Sequence, residues 1–542
     1  MVDRPEDPAA ERSAAVDLAG GARRRRLARS TALFSLATLL SRFVGLFREV
    51  VVRRYFGVEG SINTFTVAFQ VPNLVRALVA DSALSAAFVP IFSEMLEKGD
   101  RARAWRVAST IFWLMLLGLG GITALFMLLA PWVMRPFGYE GAEQDLVVGL
   151  ARVLFPIVVL LGLSGVIVGI LNSYEQFTVP ALTPVLWNLA IIAALVVGVP
   201  RTDTESAALY VYAGGVVAGT VIQLLVPIPW LRGLDGRLRV AIDVRDPAVK
   251  RVFALMLPVT LGIGLINFNL LVDTFFAARY IDPLLAPSAI DAAFRIYMLP
   301  QGIFAVAVAT VLFPALSRLA ARADTDGFRE TVSSGLRQIG FLLLPASAVT
   351  AVLSVPIVRL LYERGAFGDE ETTIVAQGLA AFVIGLTFNG TMLMLNRAFF
   401  SLQNAWIPTA VALGNLVLNA ALDAALFRVG IWGIPLATSI VNIAGTVALL
   451  ILLRRRLGRL QGRQTIDAYV RTAVASGLAA AVAFGTWYGL DQWLGRSLGA
   501  QIVSVGLGLT LAVAAFLGAA RILRIQELDA LLSLLRRSRP SV

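Results

Sequence analysis

Apolar runs of about twenty residues recur from residue 31 to residue 520, and this repetition decides the fold class. A run of that length carries an α-helix through the hydrocarbon of a bilayer. Outer-membrane β-barrels alternate polar and apolar residues instead, which these runs do not. The chain has 542 residues, 58% hydrophobic and 15% charged, with mean hydropathy +0.77. A soluble domain carries about a quarter charged residues. The expectation is an all-α polytopic membrane protein with spans near 31–55, 62–93, 105–133, 146–171, 179–199, 207–230, 252–281, 288–316, 334–362, 372–403, 407–427, 431–453, 469–489 and 500–520.

Several chemistries are excluded at once. The chain has no cysteine and no histidine. Disulfides, thiolate nucleophiles, histidine relays and His- or Cys-ligated metals are therefore absent. The net charge is +12, which in a soluble protein would suggest nucleic acid. Here the excess sorts into loops and reports topology. Residues 1–29 are polar and end in ARRRRLARS, but no small-residue cleavage site comes after them. They read as a disordered basic cytoplasmic tail.

One set of connections is arginine-rich: 97–106, 232–251, 317–330, 454–463 and the C-terminal tail. The other is neutral or acidic: 57–61, 138–145, 202–206 and 368–371. They alternate as fourteen spans require, which places both termini in the cytoplasm. The chain also resembles itself. Tyr55 matches Tyr280 at a separation of 225 (55 to 280); Pro72 matches Pro300 at 228 (72 to 300) and Pro180 matches Pro408 at 228 (180 to 408). The repeat unit is six helices. An even number gives two lobes related by a pseudo-two-fold axis along the membrane normal, plus two C-terminal helices outside the repeat. The domains expected are a tail over 1–29, an N-lobe over 30–231 (spans 1–6), a cytoplasmic linker over 232–251, a C-lobe over 252–454 (spans 7–12), spans 13–14 over 465–521 and a cytoplasmic tail over 522–542.

Charges inside spans are expensive and mark function. Span 1 holds Arg42, Arg48, Glu49, Arg53 and Arg54. Arg42 lies eleven residues past Thr31, roughly 16 Å in, near mid-bilayer. Arg42, Glu49 and Arg53 share a stripe within about 20° on a helical wheel, and Arg48 points about 120° away. Both arginines reach one ligand only if the helix bends near Gly45 or if they act in different states. Arg53 and Arg54 read as snorkelling residues at the outer rim. Arg76 and Asp81 in span 2, Asp273 in span 7 and Arg295 in span 8 complete the set. Each taken alone reads as a structural ion pair, such as Arg48–Glu49 or Arg76–Asp81. Arginines from both lobes together suit a phosphate or pyrophosphate, which the guanidinium fork binds in bidentate fashion.

A second constellation lies in the C-terminal half. Asn419 and Asp423 share a helix face at i, i+4. With Asp273, and Thr438 as a weaker fourth member, they form a candidate hard-oxygen site for a small cation. The competing reading is a polar seam between helices. GVIVG (165–169) and GVVAG (215–219) read as close helix packing, and DTD (324–326) as a solvated loop.

SRFVGLFREVVVRRYFG (41–57), with FTVAFQVPNLVRALVADSALSAAFVPIFSE (65–94) after it, closely resembles the first two helices of the MurJ (MviN) family; FRIYMLPQGIFAVAVATVLFPALS (294–317) resembles its eighth. The resemblance covers roughly 30–520. It implies a MOP-superfamily exporter that flips lipid II, the undecaprenyl-pyrophosphate-linked peptidoglycan precursor, to the outer leaflet of the bacterial cytoplasmic membrane. It implies substrate-binding roles for Arg42, Arg48, Arg76 and Arg295, with Glu49, Asp81 and Asn63 in supporting positions. Asn63 stands where the family commonly has an acid. The resemblance further implies a lipid-tail groove along 469–520 and, at Asp273, Asn419 and Asp423, the sodium site of some members. No cofactor is required, and sodium is a candidate coupling ion. Expected partners are lipid II, membrane lipids and cell-wall synthesis or division proteins, with no nucleic acid. The chain is not expected to be an enzyme. Alternatives are another MOP exporter, for a polysaccharide lipid or a drug, and a non-transporting cell-wall scaffold.

Overall fold

The computed structural model describes residues 36–79, 82–458 and 461–529. All regular structure among these residues is helical. Without water in the hydrocarbon, backbone groups must pair within their own segment, and a helix does this. Among the described residues, ten helices are long and apolar enough to cross a bilayer: Arg101–Phe137, Gly141–Ser173, Thr178–Arg201, Glu205–Gly233, Ala286–Ala321, Thr325–Val352, Trp406–Val429, Gly433–Leu457, Gly462–Leu494 and Leu498–Ile522. An eleventh is a pair, Asp369–Ile384 and Leu386–Ser401, bent by 43°. The other three of the fourteen expected spans also coincide with helices: 36–56 with its five ionic residues, Ile62–Val79 with Ser82–Glu97 after it, and Pro247–Phe276, whose stretch 255–272 is free of charge. Among the described residues, length and apolarity alone thus support ten or eleven of the fourteen expected spans. The expected span 334–362 is not one helix either. It ends at Val352 and resumes as Ser354–Tyr362.

Three spans contain a π-helical turn, at Ala194–Gly198, Ala277–Ile281 and Gln301–Ala305. Such turns widen the i→i−4 ladder locally and are frequent at functional sites. One lies just past Asp273, another just past Arg295.

By internal packing the chain divides into two compact units, neither continuous in sequence. The first comprises residues 1–51, 75–130 and 150–261, and the second 52–74, 131–149 and 262–542. In the first unit, Thr178–Ala193 packs closely on Glu205–Leu225. A Cβ on Gly215 or Gly219 would come within 2.5 Å of Ala194 and 2.9 Å of Trp187 respectively. The GVVAG spacing is therefore a packing device, as expected. In the second unit the hairpin of Gly462–Leu494 and Leu498–Ile522 docks on Thr325–Val352. Ala475, Ala479 and Ala483 bury their small side chains there against Phe341 and Phe516. Tyr469 crosses Gly340 and donates to the Leu336 carbonyl at 3.0 Å. The DTD stretch is a helix start, since Asp324 accepts from the Gly327 amide at 2.9 Å.

Residues 234–246, expected as a linker, form an extended strap held on the first unit. Arg103 donates to Asp246 through Nε at 3.0 Å and Nη2 at 2.9 Å, and Arg101 pairs with Asp235 at 2.9 Å. Asp246 also caps the next helix by accepting from the Ala248 amide at 2.8 Å. The hydrogen bonds from Arg103 hold the Asp246 carboxyl below the usual carboxylate range. A carboxylate so depressed stabilises the fold above its unfolded value, near 3.9. That contribution disappears only as pH falls through the lower folded value. The strap should stay seated at neutral and mildly acidic pH. Asp246→Asn should loosen its C-terminal end at any pH, read as several-fold faster tryptic cleavage after Arg245.

Candidate functional site

The first unit holds Arg42, Arg48, Glu49 and Arg76. Helix 36–56 runs unbroken past Gly45, and its two deep arginines have different surroundings. Arg42 is exposed and makes no ion pair among the described residues. Arg48 is buried; it pairs with Glu49, and its guanidinium carbon stands 4.9 Å from the centroid of the Trp187 ring. The aromatic face and the adjacent carboxylate together make a buried cation tolerable. Arg76 is half-buried and engaged by a partner. Asp81 lies outside the described residues.

The second unit contains a tightly bonded cluster around the turn 57–61. Arg53 is only 2% exposed, so it does not snorkel at a rim. Its guanidinium donates to Ser288 Oγ and pairs with Asp291 at 3.1 Å. The wheel fixed the angle of Arg53 but could not show that helix Ala286–Pro300 covers it. Arg54, by contrast, is exposed as expected. Asp291 also holds Arg295, one turn further along, at 3.1 Å. One carboxylate therefore serves two arginines, and Arg295 is already engaged.

Asn63 is fully buried and bonded on both faces of its amide. Its Nδ2 donates to the carbonyls of Val58 at 2.8 Å, Gly60 at 3.0 Å and Leu284. Its Oδ1 accepts from the Ser288 amide at 2.8 Å. An ionised acid could only accept, so asparagine suits this environment where the family commonly has an acid. Glu371 supports the same turn by accepting from the amides of Val58 at 2.8 Å, Glu59 at 3.2 Å and Gly368 at 2.6 Å. Gly57 sits at φ +61, and a Cβ there would lie 2.6 Å from Glu371 Oε1.

Asp273, Asn419 and Asp423 do come together, all buried. Asn419 Nδ2 donates to both carboxylates, to Asp423 at 2.9 Å. Asn419 Oδ1 and Asp423 Oδ1 have no hydrogen-bond partner. Thr438 donates to the Ile434 carbonyl at 3.3 Å and lies beside Asp273. Two buried carboxylates with a single amide between them, and one unsatisfied oxygen each on Asp423 and Asn419, present the hard oxygen atoms that a small cation uses. Among the described residues no cluster of three or more acids exists that would suit a more highly charged metal ion.

The model of the lipid II flippase MurJ family matches residues 52–503. The chain belongs to the MurJ family. It is 32% identical to the lipid II flippase MurJ of Burkholderia cenocepacia over 395 residues, 70% of this chain and 75% of that one. It is 30% identical to the probable lipid II flippase MurJ of Vibrio cholerae over 533 residues, 93% of this chain and 98% of that one. In fold it resembles a solved lipid II flippase MurJ in an inward closed conformation, with TM-score 0.74 at 24% identity over 91% of this chain and 99% of that one. A multidrug resistance MATE transporter of the MOP superfamily shares the fold more loosely, with TM-score 0.65 at 17% identity over 79% and 95% of the two chains.

Within this MurJ-family chain, sequence reading missed Trp187, Asp291 and Glu371. Asp291 was signalled by its i, i+4 spacing to Arg295, and Glu371 by its place in the first turn of Asp369–Ile384. Nothing in the sequence marks Trp187 as the partner of Arg48. Replacing Asn63 by Ala should orphan carbonyls and the Ser288 amide at about 1–3 kcal/mol for each buried group. Asn63→Asp should recover only the Ser288 half, giving an intermediate melting temperature in detergent.

Proposed function

We propose that this chain flips lipid II from the inner to the outer leaflet of a bacterial cytoplasmic membrane, with both termini inside. The family match across residues 52–503 carries this reading, and the alternation of basic and acidic loops supports the orientation. Arg42, Arg48, Arg76 and Arg295 bind the pyrophosphate as it enters the protein. Exposed Arg42 is the arginine ready to meet it first. Arg48 and Arg295 must exchange Glu49 and Asp291 for phosphate oxygens, so these carboxylates hold the arginines in place until the ligand arrives. The exchange keeps each guanidinium charge-paired throughout.

Alternating access requires the turn 57–61 to part from its present partners. The bonds of Arg53 to Asp291, Asn63 to Leu284 and Ser288, and Glu371 to Val58 and Glu59 are the ones to break. Drawing Arg295 onto the ligand leaves Asp291 to Arg53 alone. The lipid tail stays in the bilayer beside Gly462–Leu494 and Leu498–Ile522.

Asp273, Asn419 and Asp423, with Thr438 beside them, would hold a sodium ion, which would supply the charge that two buried carboxylates need. Moving one charge across the membrane is worth about 2.3 kcal/mol per 100 mV.

A variant with Arg42, Arg48, Arg76 and Arg295 all changed to Ala, expressed and folded, should fail to complement a flippase-depleted strain and should leave lipid II on the inner face. Normal growth and translocation would refute the arginine roles. Replacing choline by sodium should raise the melting temperature, by an amount equivalent to about 2.7 kcal/mol at a hundredfold excess over Kd. Asp423→Asn should abolish this response.

A further inference from the structure

The strap over 234–246 has a feature that neither the transport cycle nor the linker role uses. Its apolar side chains face away from the protein. Val240 is 81% exposed, Ile242 50% and Val244 51%. They recur at every second position, as on one edge of an extended chain.

The backbone between them is fixed. The Arg239 amide donates to Ser109 Oγ at 3.0 Å, and Trp113 Nε1 donates to the Arg239 carbonyl at 2.9 Å. The Asp243 amide donates to Thr110 Oγ1 at 3.1 Å. Gly236 lies on the Trp105 ring, so close that a Cβ would come within 2.2 Å. A segment tied down at three residues while showing three branched apolar side chains to solvent is costly unless something covers them.

The charges point to what covers them. Asp235 and Asp246 turn inward to Arg101 and Arg103. Asp243 is used to cap its own turn at the Arg245 amide, 3.1 Å away. Arg237, Arg239 and Arg245 are exposed and make no ion pair among the described residues. The free side of the strap is therefore apolar and cationic together. It also begins where a span ends. Glu205–Gly233 runs directly into it, and Ile222, Leu225 and Trp230 near its end are exposed. On its far side, Pro247–Phe276 starts with exposed Phe253, Leu255 and Leu257. Tryptophan beside an arginine-rich loop is the composition of a membrane–water interface.

We propose that the strap is a membrane-surface element, with Val240, Ile242 and Val244 set into the headgroup layer and Arg237, Arg239 and Arg245 binding the phosphates of anionic lipids. Basic charge combined with shallow apolar insertion is the general recipe for an interfacial segment. Seated this way, the strap anchors the first unit at a fixed depth and collects anionic lipid around it. The proposal does not depend on which substrate is carried.

The absence of cysteine makes the test clean. The full chain carrying Val240→Cys or Ile242→Cys, labelled with an environment-sensitive fluorophore, is reconstituted into phosphatidylcholine vesicles with and without phosphatidylglycerol. Asp326→Cys, exposed in the first turn of Thr325–Val352, serves as the water-phase reference. The labels at 240 and 242 should shift to the blue and be quenched by nitroxide lipids, most strongly with phosphatidylglycerol, while the reference is not. Labels at 240 and 242 that behave like the reference would overturn the proposal. Protection present in native membranes but absent in pure lipid would overturn it in favour of a protein partner. Native mass spectrometry gives the second arm. Each of Arg237→Gln, Arg239→Gln and Arg245→Gln should lower the retained ratio of phosphatidylglycerol to phosphatidylcholine about five-fold. An unchanged ratio in all three would remove the arginines from the site.

Discussion

A guanidinium cannot stand bare in a low-dielectric interior, and the arrangement of this protein depends on that. Arginine does not escape by losing its proton, as lysine can, so it must be given partners. Arg48 has Glu49 and the Trp187 ring, and Arg53 has Ser288 and Asp291. Asp291 then serves Arg295 as well. Each partner lies where a helix end or a neighbouring helix brings it, so pairing the cations also fixes where those helices meet. Polar chemistry inside an apolar chain thus acts as registration: it selects one packing among many that lipid and leucine would tolerate equally.

The same logic explains which parts were legible in the sequence. Apolar run length revealed the helical membrane class because a bilayer has a fixed thickness. The i, i+4 spacing of Asn419 and Asp423 placed them on one face, and the structure brings Asp273 to them. Local rules sufficed there because a helix makes spacing into geometry. They failed for Arg53, where the wheel gave a direction but not the cover supplied by residues 235 and 238 positions later. They failed for Trp187 for the same reason. Run length did not show the break at Leu353, because an apolar stretch continues across a helix end.

Asn63 shows how one side chain can differ from family habit and still hold its position. A carboxylate and a carboxamide have the same shape, yet only the amide can give as well as take hydrogen bonds. In this chain the turn 57–61 offers carbonyls on one side and the Ser288 amide on the other. Glu371 accepts from the backbone amides of the same turn. Donor and acceptor duties are thereby divided between residues 308 positions apart (63 to 371).

The π-helical turn at Ala277–Ile281 has a further consequence. A π turn holds one more residue than an α turn in the same rise, so it offsets the helix faces on its two sides. Each residue added to or removed from an α-helix rotates the remainder of that helix by about 100°. The buried Asp273 before the turn and the exposed Arg279 within it can therefore be oriented independently, although they share one continuous helix. Within such a helix an inward polar group and an outward surface residue need not share a heptad phase. Losing a single residue here would leave the span nearly as long while pointing its far end in a different direction.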